Sequence, residues 1–157
     1  MPRKGTIAWR IEAGRLPAEQ TQARRFVKTR AAQSGALHED YVELIADLLA
    51  SGGEARPTDI ARRLGVSHAT AIKTIGRLKR DGLATGLPYR GVFLTQEGHD
   101  LAERIKVRHR LVVDVLLALG APPEAAEADA EGMEHFVSEQ TQAAFSRFLS
   151  HRRSGEV

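Results

Sequence analysis

Apolar side chains fall at helical spacing along most of this chain. From Asp40 onward, Tyr41, Leu44, Ile45, Leu48 and Leu49 stand at i, i+3, i+4, i+7 and i+8, which predicts a helix with one face turned to a core. Ser51-Gly52-Gly53 should end it. A short helix up to Leu64, Gly65 as its C-terminal cap, Val66 turned inward and Ser67 as the next N-cap predict a helix-turn-helix. In its second helix Ala71, Ile75 and Leu78 repeat at i, i+4 and i+7 and should pack inward. After Gly82 the period shortens. Leu83 to Leu87 and Gly91 to Leu94 read as short strands around Pro88-Tyr89-Arg90-Gly91, a turn composition, and a hairpin directly behind such a helix is a wing.

Thr95-Gln96-Glu97 then opens a long helix with Leu101, Ile105, Val112, Leu116 and Leu119 on its apolar side, ended by Gly120. Pro122-Pro123 begin another helix, and Ser138-Glu139-Gln140-Thr141 begin a last one, in which Ala144, Phe145, Phe148 and Leu149 form an apolar ridge. So much apolar surface on short helices predicts a homodimer interface. Residues 1–37 have scattered apolar positions (Ile7, Trp9, Ile11, Leu16, Phe26, Val27) and read as an arm, with a short helix around Ala18 to Thr29. The expected architecture is mainly α: a basic arm over 1–37, a winged helix-turn-helix DNA-binding domain over 38–95, and an all-helical metal-binding and dimerisation domain over 96–157.

Charge sharpens this division. The formal net charge of +3 conceals eight Lys/Arg against two Glu in 1–37, five acids and no Lys or Arg in 38–55, eight bases against two acids in 56–95, and seven bases against eleven acids in 96–157. Basic blocks set apart from acidic ones suggest a polyanion-binding surface in one place and a cation-binding one in another. The chain has no Cys, which excludes disulfides, thiolate metal sites and cysteine nucleophiles. No apolar stretch follows the basic N-terminus, and the longest apolar run, Val115 to Leu119, falls far short of the about 18 residues of a membrane span. A soluble, cytoplasmic protein with no membrane partner is expected.

Two groups of residues carry chemistry. With Ala71, Ile75 and Leu78 packed inward, His68, Ala69, Thr70, Lys73 and Arg77 are left toward a major groove, next to the capping Ser67. Small and polar groups at the helix start suit base edges, bases further along suit phosphates, and Arg90 at the wing tip would reach the DNA backbone or the minor groove. The second group centres on Glu131-Gly132-Met133-Glu134-His135. On a helix, Glu131, Glu134 and His135 share a face, offering two carboxylates and an imidazole to one spot. Upstream, Asp40 and Glu43 stand at i, i+3, and His109 lies on a third segment between Arg108 and Arg110. Four carboxylates and two imidazoles then have the means to converge on a metal, although an acidic, solvated helix is the plainer reading of the run that includes Glu124, Glu127 and Asp129. His38, His99 and His151 lack such company and read as surface residues.

The order Asp40-x-x-Glu43, helix-turn-helix, wing with Tyr89-Arg90-Gly91, Arg108-His109, then Glu131-Gly132-x-Glu134-His135 resembles the manganese transport regulators, a branch of the diphtheria-toxin-repressor (iron-dependent repressor) family. The likeness covers roughly 38–150. It implies a dimeric repressor that binds operator DNA with a divalent metal as corepressor and turns down manganese uptake genes. It further implies that Asp40, Glu43, His109, Glu131, Glu134 and His135 are the ligands of a two-metal site bridged by Glu43 and Glu134. The iron-responsive branch of the family places Met and Cys where this chain has Asp40 and Glu131, so the resemblance favours Mn²⁺, with Fe²⁺ as the alternative. Phe136 stands where relatives often carry a second His, and a protein without the SH3-like domain of the longer iron-responsive members is expected. The donor set is oxygen-rich and free of sulfur, which independently suits Mn²⁺ or Fe²⁺. Two other readings remain open: a winged-helix regulator answering iron or an organic ligand, and, less favoured, a metal-dependent hydrolase. No catalytic residue and no small organic substrate are expected.

Overall fold

The computed structural model describes residues 16–86 and 90–155. Ile7, Trp9 and Ile11 of the arm and Leu87, Pro88 and Tyr89 of the wing lie outside them. Among the described residues nine elements follow one another: α1 (Glu19–Gly52), α2 (Pro57–Leu64), α3 (His68–Arg80), β1 (Ala84–Thr85), β2 (Phe93–Leu94), α4 (Gln96–Ala118), α5 (Pro123–Met133), a 3₁₀ turn (Glu134–Phe136) and α6 (Glu139–Arg153).

The helix-turn-helix forms where the local signals place it. Pro57 occupies the first turn of α2, where its missing N–H costs nothing. Gly65 takes the left-handed conformation (φ 67°), its N–H donates to Arg62 O and the Val66 N–H donates to Ala61 O at 3.0 Å, closing α2 with a Schellman turn. Ser67 Oγ then accepts from the Thr70 N–H at 3.1 Å and caps α3. Ala71, Ile75 and Leu78 are buried as expected, and Thr74 joins them. Among the described residues the wing's strands are shorter than the pattern suggests: β1 and β2 are two residues each, antiparallel with Ala84 opposite Leu94, and Val92 forms one further bridge to Ala55.

Three local features differ from the sequence reading. α1 runs unbroken from Glu19 to Gly52, so the second half of the arm and the helix expected from Asp40 are one element of 34 residues, about 51 Å long. No Pro interrupts this stretch, and Gly35 alone costs only about 1 kcal/mol against Ala. α5 stops at Met133, and Glu134–Phe136 tighten into a 3₁₀ turn, so Glu131 and His135 are not neighbours on one regular helix. Leu119, expected on the packed side of α4, is 69% exposed because it is the residue that caps the helix.

Among the described residues there are two cores, and α4 belongs to both. The larger gathers Tyr41, Val42 and Ile45 of α1 with Ile60, Ile75, Leu78, Val92 and, from α4, Ala102 and Ile105. The smaller gathers Val112 and Val113 of α4 with Ala126 and Ala130, against which Leu116, Val137 and Phe145 pack. The reader and α4 are joined tightly. Thr95 caps α4 by accepting from the Gly98 N–H, donates its own hydroxyl to Gly82 O at 2.6 Å, and donates its N–H to Leu83 O. A Cβ on Gly98 would lie 2.0 Å from that same Leu83 oxygen, so only glycine lets the helix start so close to the wing. No helix among the described residues is long and apolar enough to cross a membrane.

Candidate metal centre

The six sequence-selected residues come from three places in the fold: Asp40 and Glu43 from α1, His109 from α4, and Glu131, Glu134 and His135 from the end of α5 and the turn behind it. The structure brings them to one junction. His109 Nδ1 lies 3.1 Å from Glu134 Oε2 and 3.7 Å from Glu131 Oε2. His135 Nε2 lies 3.1 Å from Asp40 Oδ1 and 3.7 Å from Glu134 Oε1. Glu43 makes no ion pair but lines, with Asp40, Asp47, Glu131, His135 and Arg63, a cavity of about 640 Å³ between α1, α2 and α5. Among the described residues, no three such side chains already stand around one point as ligands would. The carboxylates are drawn instead to the imidazoles.

Glu134 decides whether a cation fits here. The tightening of α5 into the 3₁₀ turn swings its side chain fully inside, at 0% exposure, and neither carboxylate oxygen has a hydrogen-bond partner. His109 Nδ1, although close, is also without one, because the contact lacks hydrogen-bond geometry. A buried carboxylate without donors is costly unless a positive charge faces it. Burial accordingly pushes the Glu134 carboxyl above the usual carboxylate range, and the neighbouring Glu43 adds to that against the opposing pull of His109, His135 and Arg108. Glu43 is raised as well, by burial first and then by the charges of Glu131 and Asp47. His109 is raised on balance: burial pulls it down, but its hydrogen bond to Glu127 and the charges of Glu134, Glu131 and Glu127 outweigh this. Acids that resist ionisation beside an imidazole that holds its proton are what a cation site looks like when protons supply the positive charge. The donor set, oxygen and imidazole nitrogen without sulfur, fits Mn²⁺ or Fe²⁺.

Sequence reasoning missed the residues that hold the imidazoles. Glu39 Oε2 accepts from His135 Nδ1 at 2.7 Å and is paired with Arg108, while Glu127 Oε2 contacts His109 Nε2 at 3.0 Å. Their only trace in the sequence is adjacency, Glu39 beside Asp40 and Arg108 beside His109. Away from these carboxylates in sequence, Ser67, His68, Ala69, Thr70, Lys73, Arg77 and Arg90 are all exposed. The Ser67 and Thr70 hydroxyls lie 2.8 Å apart, so this pair is already engaged in capping α3. A second cavity, about 540 Å³, opens between α3 and the wing beside Ile72, Lys79 and Arg90, and of the carboxylates only Glu54 is among its described lining residues.

Comparison with known proteins bears on both groups of residues. Residues 35–92 match the iron dependent repressor N-terminal DNA binding domain, and residues 95–155 match the iron dependent repressor metal binding and dimerisation domain. The chain belongs to the iron-dependent repressor family. Within that family it lies on the branch of the manganese transport regulators. It is 50% identical over 133 residues, 85% of this chain and 86% of the other, to the transcriptional regulator MntR of Escherichia coli O157:H7. It is 38% identical over 100 residues, 64% of this chain and 72% of the other, to the HTH-type transcriptional regulator MntR of Lysinibacillus sphaericus. The solved structure of a manganese-dependent transcriptional repressor in complex with manganese aligns with a TM-score of 0.62 at 30% identity, over 71% of this chain and 51% of that one. The family thus supplies a DNA-binding half and a metal-binding, dimerising half, in the order that the fold shows.

Proposed function

We propose that this protein is a manganese-responsive transcriptional repressor, which binds operator DNA as a homodimer when Mn²⁺ is bound and turns down manganese uptake genes. The observation that carries the reading is the buried Glu134 carboxylate, whose two oxygens lack donors at the seam between α1 and the helical half. Asp40, Glu43, His109, Glu131, Glu134 and His135 would hold the metal, two ions per subunit if Glu43 and Glu134 are shared. A bound Mn²⁺ supplies the positive charge that lets these acids and imidazoles lie together fully deprotonated. The names of the relatives favour Mn²⁺ over Fe²⁺, and the absence of sulfur donors agrees.

The remaining roles belong to the chain itself. Asp40 and Glu43 stand on the helix that packs under the reader, whereas the other four stand on the dimerising side, so the ligand set spans the junction. His68, Ala69 and Thr70 at the start of α3 would face base edges, Lys73, Arg77 and Arg90 the phosphates, and Ser67 would hold the helix start in shape. Exposed Val107, Leu119 and Phe148 offer the apolar surface a second copy would cover. The functional division into arm 1–37, reader 38–95 and helical domain 96–157 stands as part of this reading, with its first boundary inside α1. Operator binding followed by fluorescence anisotropy, with Mn²⁺ and with chelator, tests it. Tight binding only with Mn²⁺ is expected; equal affinity in both would leave a plain DNA-binding protein.

A further inference from the structure

Glu39 lies at the crossing of three elements that are far apart in sequence. It stands on α1 one residue before Asp40, and its side chain is only 20% exposed. Arg108 of α4, 15% exposed, reaches it with both terminal nitrogens, Nη2 to Oε2 and Nη1 to Oε1 at 3.4 Å. His135 of the 3₁₀ turn, 6% exposed, brings Nδ1 to the same Oε2 at 2.7 Å. Oε2 of Glu39, already accepting from the guanidinium, faces Nδ1 as an acceptor, an arrangement that favours the tautomer in which Nδ1 carries the hydrogen. The consequence falls on the opposite ring nitrogen. With Nδ1–H committed to Glu39, Nε2 is turned toward Asp40 Oδ1 at 3.1 Å and Glu134 Oε1 at 3.7 Å. A lone pair facing two carboxylate oxygens is reconciled only by a positive charge between them, whether proton or metal ion.

We propose that Glu39, locked by Arg108, is the positioning residue of the metal centre: it fixes the ring and tautomer of His135 so that Nε2 is the nitrogen offered to the ion. The inference rests on the metal reading above but adds a residue outside its six ligands. His109 shows the same arrangement in a looser form. Glu127 takes its Nε2, leaving Nδ1 toward Glu134 and Glu131, but Glu127 is 53% exposed and shared with Arg110 at 3.8 Å. The two imidazoles therefore present opposite nitrogens to the junction, one held by a half-buried clamp and one by a surface carboxylate. Outer-shell partners of this kind typically change metal affinity about 10–100-fold when removed. Glu39 belongs at the upper part of that range and Glu127 at the lower, since exposure and competing water weaken the second contact.

The experiment uses the full chain. Mn²⁺ affinity is measured from the free-ion electron paramagnetic resonance signal for the wild type, Glu39→Gln, Glu127→Gln and the double variant Glu39→Gln/Arg108→Met. The double variant removes the guanidinium that Glu39→Gln alone would leave buried and unpaired, and so protects the test against simple misfolding. Both Glu39 variants should bind Mn²⁺ about 10–100-fold more weakly, with a smaller loss for Glu127→Gln. In parallel, the Cd²⁺-loaded protein serves as a diamagnetic stand-in. The His135 Nδ1 proton should be observable and slow to exchange in the wild type, and should exchange at least about tenfold faster without Glu39, which a merely structural strut between α1 and α4 would not change. A folded double variant that keeps wild-type Mn²⁺ affinity, or an unchanged Nδ1 proton, overturns the proposal. A wild type that takes up no Mn²⁺ overturns the metal reading itself, and is told apart because it fails before any variant is made.

Discussion

On the proposed reading, Glu134 sets stability against function at a single position. In the metal-free protein its carboxylate is buried without donors, so Glu134→Gln should raise metal-free stability by on the order of 1 kcal/mol while removing Mn²⁺ binding. Thermal melts with chelator and a metal titration check the two halves. The direction of the pH dependence follows from the same residues. Glu134, Glu43 and His109 all have folded pKa values above their ordinary ones, so the native state holds more protons than the unfolded chain over the window that they span. Stability under chelator should be fullest below the unfolded Glu value of about 4.3, as far as these groups contribute, and fall as pH rises through their folded values, ending somewhat above the ordinary His value of about 6.5. With Mn²⁺ the slope should reverse, because binding requires the deprotonated forms. Melts at several pH values, with and without the ion, decide it; parallel curves would mean that these three groups are not where the metal goes. The acids were legible because Glu131, Glu134 and His135 lie within five residues of one another. Glu39 was not, since Arg108 and His135 reach it across 69 and 96 residues and leave no local pattern.

At the level of elements, the parts legible in advance are those specified by short-range rules. The α2 and α3 pair announces itself through Gly65, Ser67 and a regular inward stripe, all within one turn of where they act. The continuation of α1 into the arm was not legible because Phe26 and Val27 are exposed, at 56% and 57%: a helix whose first half buries few of its described side chains carries no clean amphipathic signal. The 3₁₀ turn was invisible because α5 ends without Gly or Pro at its cap. Two predictions belong here. Arg77→Ala should weaken DNA binding for all sequences alike and lower the salt slope by about 1, whereas Thr70→Val should alter preference between operators; salt-dependent anisotropy separates the two. Gly98→Ala should force α4 away from Leu83 O, costing about 1–3 kcal/mol and displacing the wing, which a melt and an operator titration would register.

For the whole molecule, the proposed ligand set, drawn from both sides of the junction, would tie metal binding to the placement of the reading helices. Two such helices must stand about 34 Å apart to enter successive major grooves, and any looseness between α1 and the helical half spreads that spacing. The coupling should be reciprocal and of the usual size, about 1–3 kcal/mol or roughly 5–150-fold. Mn²⁺ should tighten operator binding, operator should tighten Mn²⁺ by the same factor, and hydrogen exchange should slow over Asp40 to Leu49 and Glu131 to His135. Unequal factors in the two titrations would sink the linkage. The passage of α4 through both cores has a further consequence, for modularity. A boundary drawn at residue 95 separates two family domains on paper, yet it strips Ala102 and Ile105 from the reader's interior and leaves a hole there. The reader cut at 95 should not hold its shape, while one carried to about residue 110 should. Sensor and reader share a beam, and an exchange of sensors between such proteins would have to splice within α4, between Ile105 and Val112, rather than at the loop that precedes it.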